Sequence, residues 1–189
     1  MSLHANDVRP HQFNVEDVLS YSSRWDKKIA TDLIAEMEIL FADKLATLPQ
    51  MRRILAVKGH QGLKSRIEID IKDRNGSDAF RAMANAVRNF ALEHPGLSSA
   101  TFRNPVSDCP DWRQAGAELA EVAIRVLHEI GVPDESAEQA LRILRSLVRG
   151  FVISEMAASF FVEPLEYQRT FDLGIAMYIK GVSALAENS

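Results

Sequence analysis

Much of what would point to a specialised chemistry is missing from this 189-residue chain. It carries one cysteine, Cys109, so no disulfide can close within the chain and no cysteine-based zinc site can be assembled. A reducing cytoplasm is the expected setting. Cys109 also stands between Asp108 and Asp111, where a thiolate is disfavoured, so it is a poor nucleophile. Proline and glycine are sparse, at 7 and 9 residues, which leaves long uninterrupted stretches for helices. The N-terminus MSLHANDVRPHQF lacks a charged-then-apolar leader, and no apolar run approaches the length of a bilayer span. Secretion and membrane insertion are not expected. The patterns GxSxG, GxGxxG and GxxxxGK[ST] do not occur, and His128-Glu129 is not followed by the second histidine of HExxH. No enzyme activity, metal or cofactor is expected.

What is present describes a folded, helical protein. Apolar residues make up 47% and charged residues 25%, a balance that supports a core. The stretch Ser136 to Phe161 organises the rest. Leu141, Leu144, Leu147, Val148, Phe151, Val152 and Met156 recur at spacings of three and four, which predicts one helix of about 25 residues. Its small residues Gly150, Ser154, Ala157 and Ala158 are expected to admit a neighbouring helix closely.

Before this spine, residues 1–13 read as an arm, and Asn14 opens a short helix with Val15, Val18 and Leu19. Asp26 caps a helix striped by Ile29, Leu33, Met37, Leu40 and Leu45. Pro49 begins a short basic helix expected to stop near Gly59, and residues 61–73 continue helically. Ser77 caps a helix containing Phe80, Met83, Val87 and Phe90, which ends at His94-Pro95-Gly96. A short piece over 97–103 follows. Asp111 caps a helix running to Gly131, Pro133 and Asp134 start the spine, and a last helix follows Pro164. The expected class is all-α, with a three-helix unit at residues 1–59 and a helical bundle at 60–189.

The chain's net charge is −4, yet Lys44, Arg52, Arg53, Lys58, Lys64 and Arg66 lie together with no acid between them. That segment carries +6, leaving −10 for the remainder. A local basic patch in an acidic protein is how a nucleic-acid surface shows in sequence, and a solvated helix face is the plainer reading. A longer helix, a turn at Ala46-Thr47-Leu48 and a short basic helix also make a helix-turn-helix candidate, with an ordinary helical hairpin as the alternative. Lys44, Gln50, Arg52, Arg53 and Lys58 are its candidate DNA contacts.

The second candidate site is apolar. Phe90, Phe102, Trp112, Phe151, Met156 and Phe160 are many large residues for a small bundle, and a cavity among them suits a small hydrophobic molecule. Glu155, one turn after Phe151, either orients such a ligand or pairs with an arginine. Ordinary core packing is the competing reading for all of them.

The runs FRAMANAVRNFALEHPGL, LRILRSLVRGFVISE and YQRTFDLGIAMYIKG, in that order and spacing, resemble the C-terminal domain of TetR/AcrR-type transcriptional regulators, in the subgroup named for a WHG domain. AVKGHQGLKSRI resembles the join between that subgroup's two domains. There are departures. Arg145 and Arg149 stand where members often have an aromatic residue and a histidine before the glycine, with Gly150 and Phe151 matching. Ala46 occupies the turn that usually carries glycine, and Ile54 and Ala56 replace a Tyr-x-His pair, while Lys58 and Gly59 are retained. The resemblance implies a ligand-responsive regulator, of the repressor type, that binds a double-stranded DNA operator, with Lys58 on a phosphate and a small hydrophobic effector in the bundle. It also implies a homodimer through the last two helices, about 135–161 and 165–186. The alternative is a ligand-binding or dimerisation protein whose DNA-reading head has degenerated.

Overall fold

The computed structural model describes residues 24–41, 48–102, 109–158 and 164–186. They form seven α-helices and, among the described residues, no strand: α1 Arg24–Phe41, α2 Leu48–Asp70, α3 Gly76–Glu93, α4 Pro95–Thr101, α5 Pro110–Glu129, α6 Asp134–Met156 and α7 Pro164–Ala186. The all-α class holds. The arm, the helix expected after Asn14, Lys44, the turn at Ala46 and Phe160 lie outside the described residues.

α3 is the centre of the bundle and touches α2, α4, α5, α6 and α7. Its buried face combines alanines (Ala79, Ala84, Ala86, Ala91) with Phe80, Met83 and Phe90, so neighbours come close and large side chains fill what remains. Phe80 is fully buried, which stabilises by roughly 2–3 kcal/mol. Tyr178 of α7 stacks on it with ring centroids 5.4 Å apart, and its hydroxyl donates to the Ala140 carbonyl of α6 at 2.6 Å. Burial pushes the Tyr178 pKa up to about 12.

α6 buries Leu144, Val148, Val152 and Met156 of the stripe read from the sequence, together with Ala137 and Ala140, while Leu141, Leu147 and Phe151 are half-buried at its edges. It ends about a turn sooner than expected. Ala158 takes a left-handed conformation (φ 53°) and its N–H donates to the Glu155 carbonyl at 3.1 Å, which turns the chain out of the helix. Gly150 does not admit a neighbour: among the described residues nothing lies within 4 Å of the position its Cβ would take.

The close approaches are made by other glycines. A Cβ on Gly59 would stand 2.6 Å from the Leu97 carbonyl oxygen and 2.9 Å from Thr101 Cγ2, so only glycine lets α2 cross α4 here. Gly59 was expected to stop a short helix; instead α2 runs through it unbroken for 23 residues. The expected seam between residues 59 and 60 therefore falls inside one helix. Gly96 meets α1 in the same manner, and its N–H donates to the Asp32 carboxylate at 2.7 Å.

Two expected caps are replaced. At α3 no side chain of the capping residue is used; Glu129, from the end of α5, accepts the Gly76 N–H at 2.8 Å. At α5 Pro110 takes the first helical position after Cys109, and Asp111 moves into the first turn. Its carboxylate is then free to meet Arg53 of α2.

Candidate functional site

The basic segment lies along α2. Arg52, Arg53 and Ile54 are exposed near its start, as is Gln50. Most of its cations meet acids on other helices. Arg53 is bonded to Asp111 of α5, Lys58 to Glu36 of α1, Lys64 to Glu118 of α5 at 2.9 Å, and Arg66 to Asp70 and Glu93, both at 3.0 Å. The hydrogen bond and charge of Asp111 raise the Arg53 pKa, and the bond to Glu118 raises that of Lys64. Lys64 and Gln114 in turn hold the Glu118 carboxyl below its ordinary value. Arg52 is exposed and has no ion pair among the described residues. Sequence alone showed six cations without local acids; the partners come from other elements.

Beside this helix the bundle forms two neighbouring, partly open cavities. The larger, about 80 Å³, lies between α2, α3, α4, α5 and α6. Leu63, Ile67, Met83, Leu119 and Leu144 make its apolar wall, and His60, Ser98, Thr101 and Arg145 supply its polar atoms. The smaller, about 30 Å³, is lined by Ile29, Ala91, Arg149, Val152, Ile153 and Met156. Val87, Ser98, Phe102 and Val148 line both and form the partition between them.

His60 is buried, with Nδ1 2.7 Å from the Ala56 carbonyl oxygen one turn earlier. Burial lowers its pKa and outweighs the raising effect of that bond, and the positive charge of Arg145 lowers it further. The ring is neutral at pH 7: Nδ1–H donates to Ala56, and Nε2 is an acceptor with no hydrogen bond among the described residues. Arg145 keeps an exposed surface, yet its guanidinium reaches the Thr101 carbonyl (3.4 Å) and the face of Phe102 (5.7 Å). Partial withdrawal from water, followed by the like charge of Arg149, lowers its pKa. Arg149 lies over the same ring at 4.5 Å.

Of the seven residues expected to line a pocket, Phe102 and Met156 do so. Phe90 packs against α2 at Gly62 and lines neither cavity. Trp112 belongs to a small separate cluster with Ala56 and Cys109. Phe151 meets Phe171 edge to face at 5.2 Å. Glu155 takes the second of its two expected roles. It accepts two hydrogen bonds from Arg88 of α3, at 2.9 and 2.8 Å, while Arg88 also donates to Gln168 of α7 and lies over the rings of Phe171 and Phe151. This fork joins α3, α6 and α7. Arg88 was detectable as a cation on the buried stripe of α3, one turn after Ala84; His60 and Arg145 gave no comparable signal.

Among the described residues no group of acids, histidines and cysteines is placed to hold a metal, and no helix is long and apolar enough to cross a membrane. A family model described as Tetracyclin repressor-like, C-terminal domain, matches residues 80–178, just over half of the chain. An uncharacterized HTH-type transcriptional regulator of Mycobacterium tuberculosis is 30% identical over 149 residues, covering 75% of this chain and 68% of that protein. Another, from Bacillus subtilis, is 29% identical over 142 residues, covering 71% and 73%. A solved structure of a protein with unknown function from Rhodococcus sp. RHA1 shares the fold, with a TM-score of 0.66 at 15% identity over 94% of this chain and 99% of that one. With the helical bundle, the order of its helices and these matches together, the chain belongs to the TetR family of transcriptional regulators.

Proposed function

We propose that the protein is a cytoplasmic, ligand-responsive repressor that binds operator DNA as a homodimer, and is not an enzyme. One observation carries the reading: α2 holds Arg52 and Arg53 near its start and Lys58 at its middle, and His60, Leu63 and Ile67 of the cavity wall follow along the same unbroken helix. A molecule that prefers one placement of α2 changes where the basic residues stand, and DNA affinity changes by the difference in its affinity for the two states. The HTH-type names of the relatives support DNA as the partner. The parts would then be a DNA-contacting head at residues 1–59 and a regulatory bundle at 60–189, with α2 running through both.

Dimerisation is supported by the outer faces of α6 and α7. Ile143 is 59% exposed, Leu173 61% and Met177 66%, and the glycines there, Gly150, Gly174 and Gly181, have open space around them. Two such faces can close on each other about a twofold axis. Leu173→Glu combined with Met177→Glu is expected to give a monomer in analytical ultracentrifugation.

If Arg52, Arg53, Lys58 and one neighbour meet phosphates in each subunit, the dimer neutralises about eight, and log affinity falls with log salt at a slope of about −7. A gel-shift titration against the DNA upstream of its own gene tests this; no binding at low salt removes the proposal. The ion pairs of Arg53 and Lys58 favour a second reading, a ligand-binding dimer with a degenerate head. Replacing Arg52 and Arg53 by alanine separates the two, since unchanged DNA affinity in an intact dimer means that this helix end reads nothing.

A further inference from the structure

We propose that the effector is a small apolar carboxylate, with its hydrocarbon part in the cavity beside α2 and its anionic end on Arg145 at the rim. The proposal rests on the effector-binding reading above and adds the chemical class. The chain has 26 acidic residues against 22 basic ones, yet no Asp or Glu lines either cavity; the charged lining groups are Arg145 and Arg149. These two stand one turn apart on α6, a spacing at which like charges repel. Neither has a carboxylate partner among the described residues, whereas Arg142 on the same helix is paired with Glu138 at 2.8 Å. Both lie over Phe102, the partition between the cavities.

An anion placed there relieves the repulsion and receives charge-assisted hydrogen bonds from a fork suited to carboxylate oxygens. A cationic ligand meets two like charges, and a neutral one withdraws a guanidinium from water without compensation. The walls set the rest of the molecule: Leu63, Ile67, Met83 and Leu144 offer apolar side chains. His60 Nε2, an acceptor in the cavity lining without a hydrogen bond among the described residues, gives a second anchor to a ligand that also carries a hydroxyl. Size is limited. An apolar cavity of about 150 Å³ holds a benzene ring, so at about 80 Å³ the larger cavity takes one only when Phe102 swings aside, which joins the neighbouring 30 Å³ and also vacates the space of its own ring.

Calorimetry on the full chain tests this with benzoate and hexanoate, their neutral amides, and the matching amines benzylamine and hexylamine. The acids are expected to bind at least roughly tenfold tighter than the amides, and the amines not at all. Arg145→Gln is expected to weaken the acids by roughly tenfold or more and to leave the amides unchanged, whereas Arg142→Gln leaves both unchanged. Amides that bind as tightly as the acids, or acids indifferent to Arg145→Gln, overturn the carboxylate assignment while the effector cavity stands. If no acid, amide or amine binds, the assignment falls together with the effector cavity.

Discussion

The N-terminal side and the bundle use the same chemistry at different depths. No described side chain of α1 is fully buried, and Ile34 and Ile39 are 57% and 74% exposed. This side is fastened by the half-buried Leu33, Met37 and Leu40 and by single polar ties, Asp32 to the Gly96 N–H and Glu36 to Lys58. In the bundle, Phe80, Val126 and Leu127 are fully covered, and one ion pair lies among aromatic rings. The side chains of Arg53 and Asp111 are 48% and 58% exposed; those of Arg88 and Glu155 are 7% and 14% exposed. An exposed pair is screened by salt and water and is easily exchanged for another anion, such as phosphate. A buried pair cannot lose one member without stranding the other. Outer pairs are therefore suited to switching and the inner one to holding shape.

That contrast can be broken at several depths. Arg88→Ala or Glu155→Ala is expected to cost about 3–5 kcal/mol in urea unfolding, because the remaining charge stays buried, and replacing both by Met and Leu recovers most of the loss. Gly59→Ala comes next, at about 1–3 kcal/mol, since its new methyl meets the Leu97 carbonyl and α2 or α4 must shift. The matched change Gly150→Ala, where there is room, gains up to about 1 kcal/mol. Tyr178→Phe loses the hydrogen bond to Ala140 and roughly 1 kcal/mol, read from the same denaturation curves.

Acid sharpens the comparison further. His60 has a folded-state pKa below its ordinary 6.5, so between the two values the unfolded chain binds the proton and the folded one does not. Stability is thus complete above about pH 6.5 and declines as the pH falls below it; His60→Gln flattens that part of the profile. The smallest effect on stability is expected from Asp111→Asn, which should leave the unfolding midpoint unchanged. If the helix end reads DNA, the same change releases Arg53, raises affinity and steepens the salt slope by about one per subunit in a gel shift.

The long helices were legible because their signals are local. The stripe of α6, Gly131 after α5 (φ 88°) and Pro164 at the start of α7 needed no tertiary information. Gly59 was misread because a glycine that ends a helix and one that lets a second backbone approach look alike until that backbone is placed. Asp111 suited a cap by position, and only the fold shows Pro110 opening the helix while the carboxylate turns to Arg53. The pocket was partly legible for the same reason: large apolar residues announce themselves, and Phe102 and Met156 were found with them. His60 and Arg145 become cavity residues only when five helices meet around them.

Under the proposed function, the glycine contact at position 59 would serve as a pivot. α2 is a rod about 35 Å long, and Arg52 stands about 10 Å along its axis from the point pressed against α4. Rocking the rod by about ten degrees about that fulcrum carries the guanidinium roughly 2 Å, which is enough to take it off a phosphate oxygen. On that proposal, a small swelling beside Leu63 and Ile67 would be felt at the far tip as a lost grip, with no hinge needed in between.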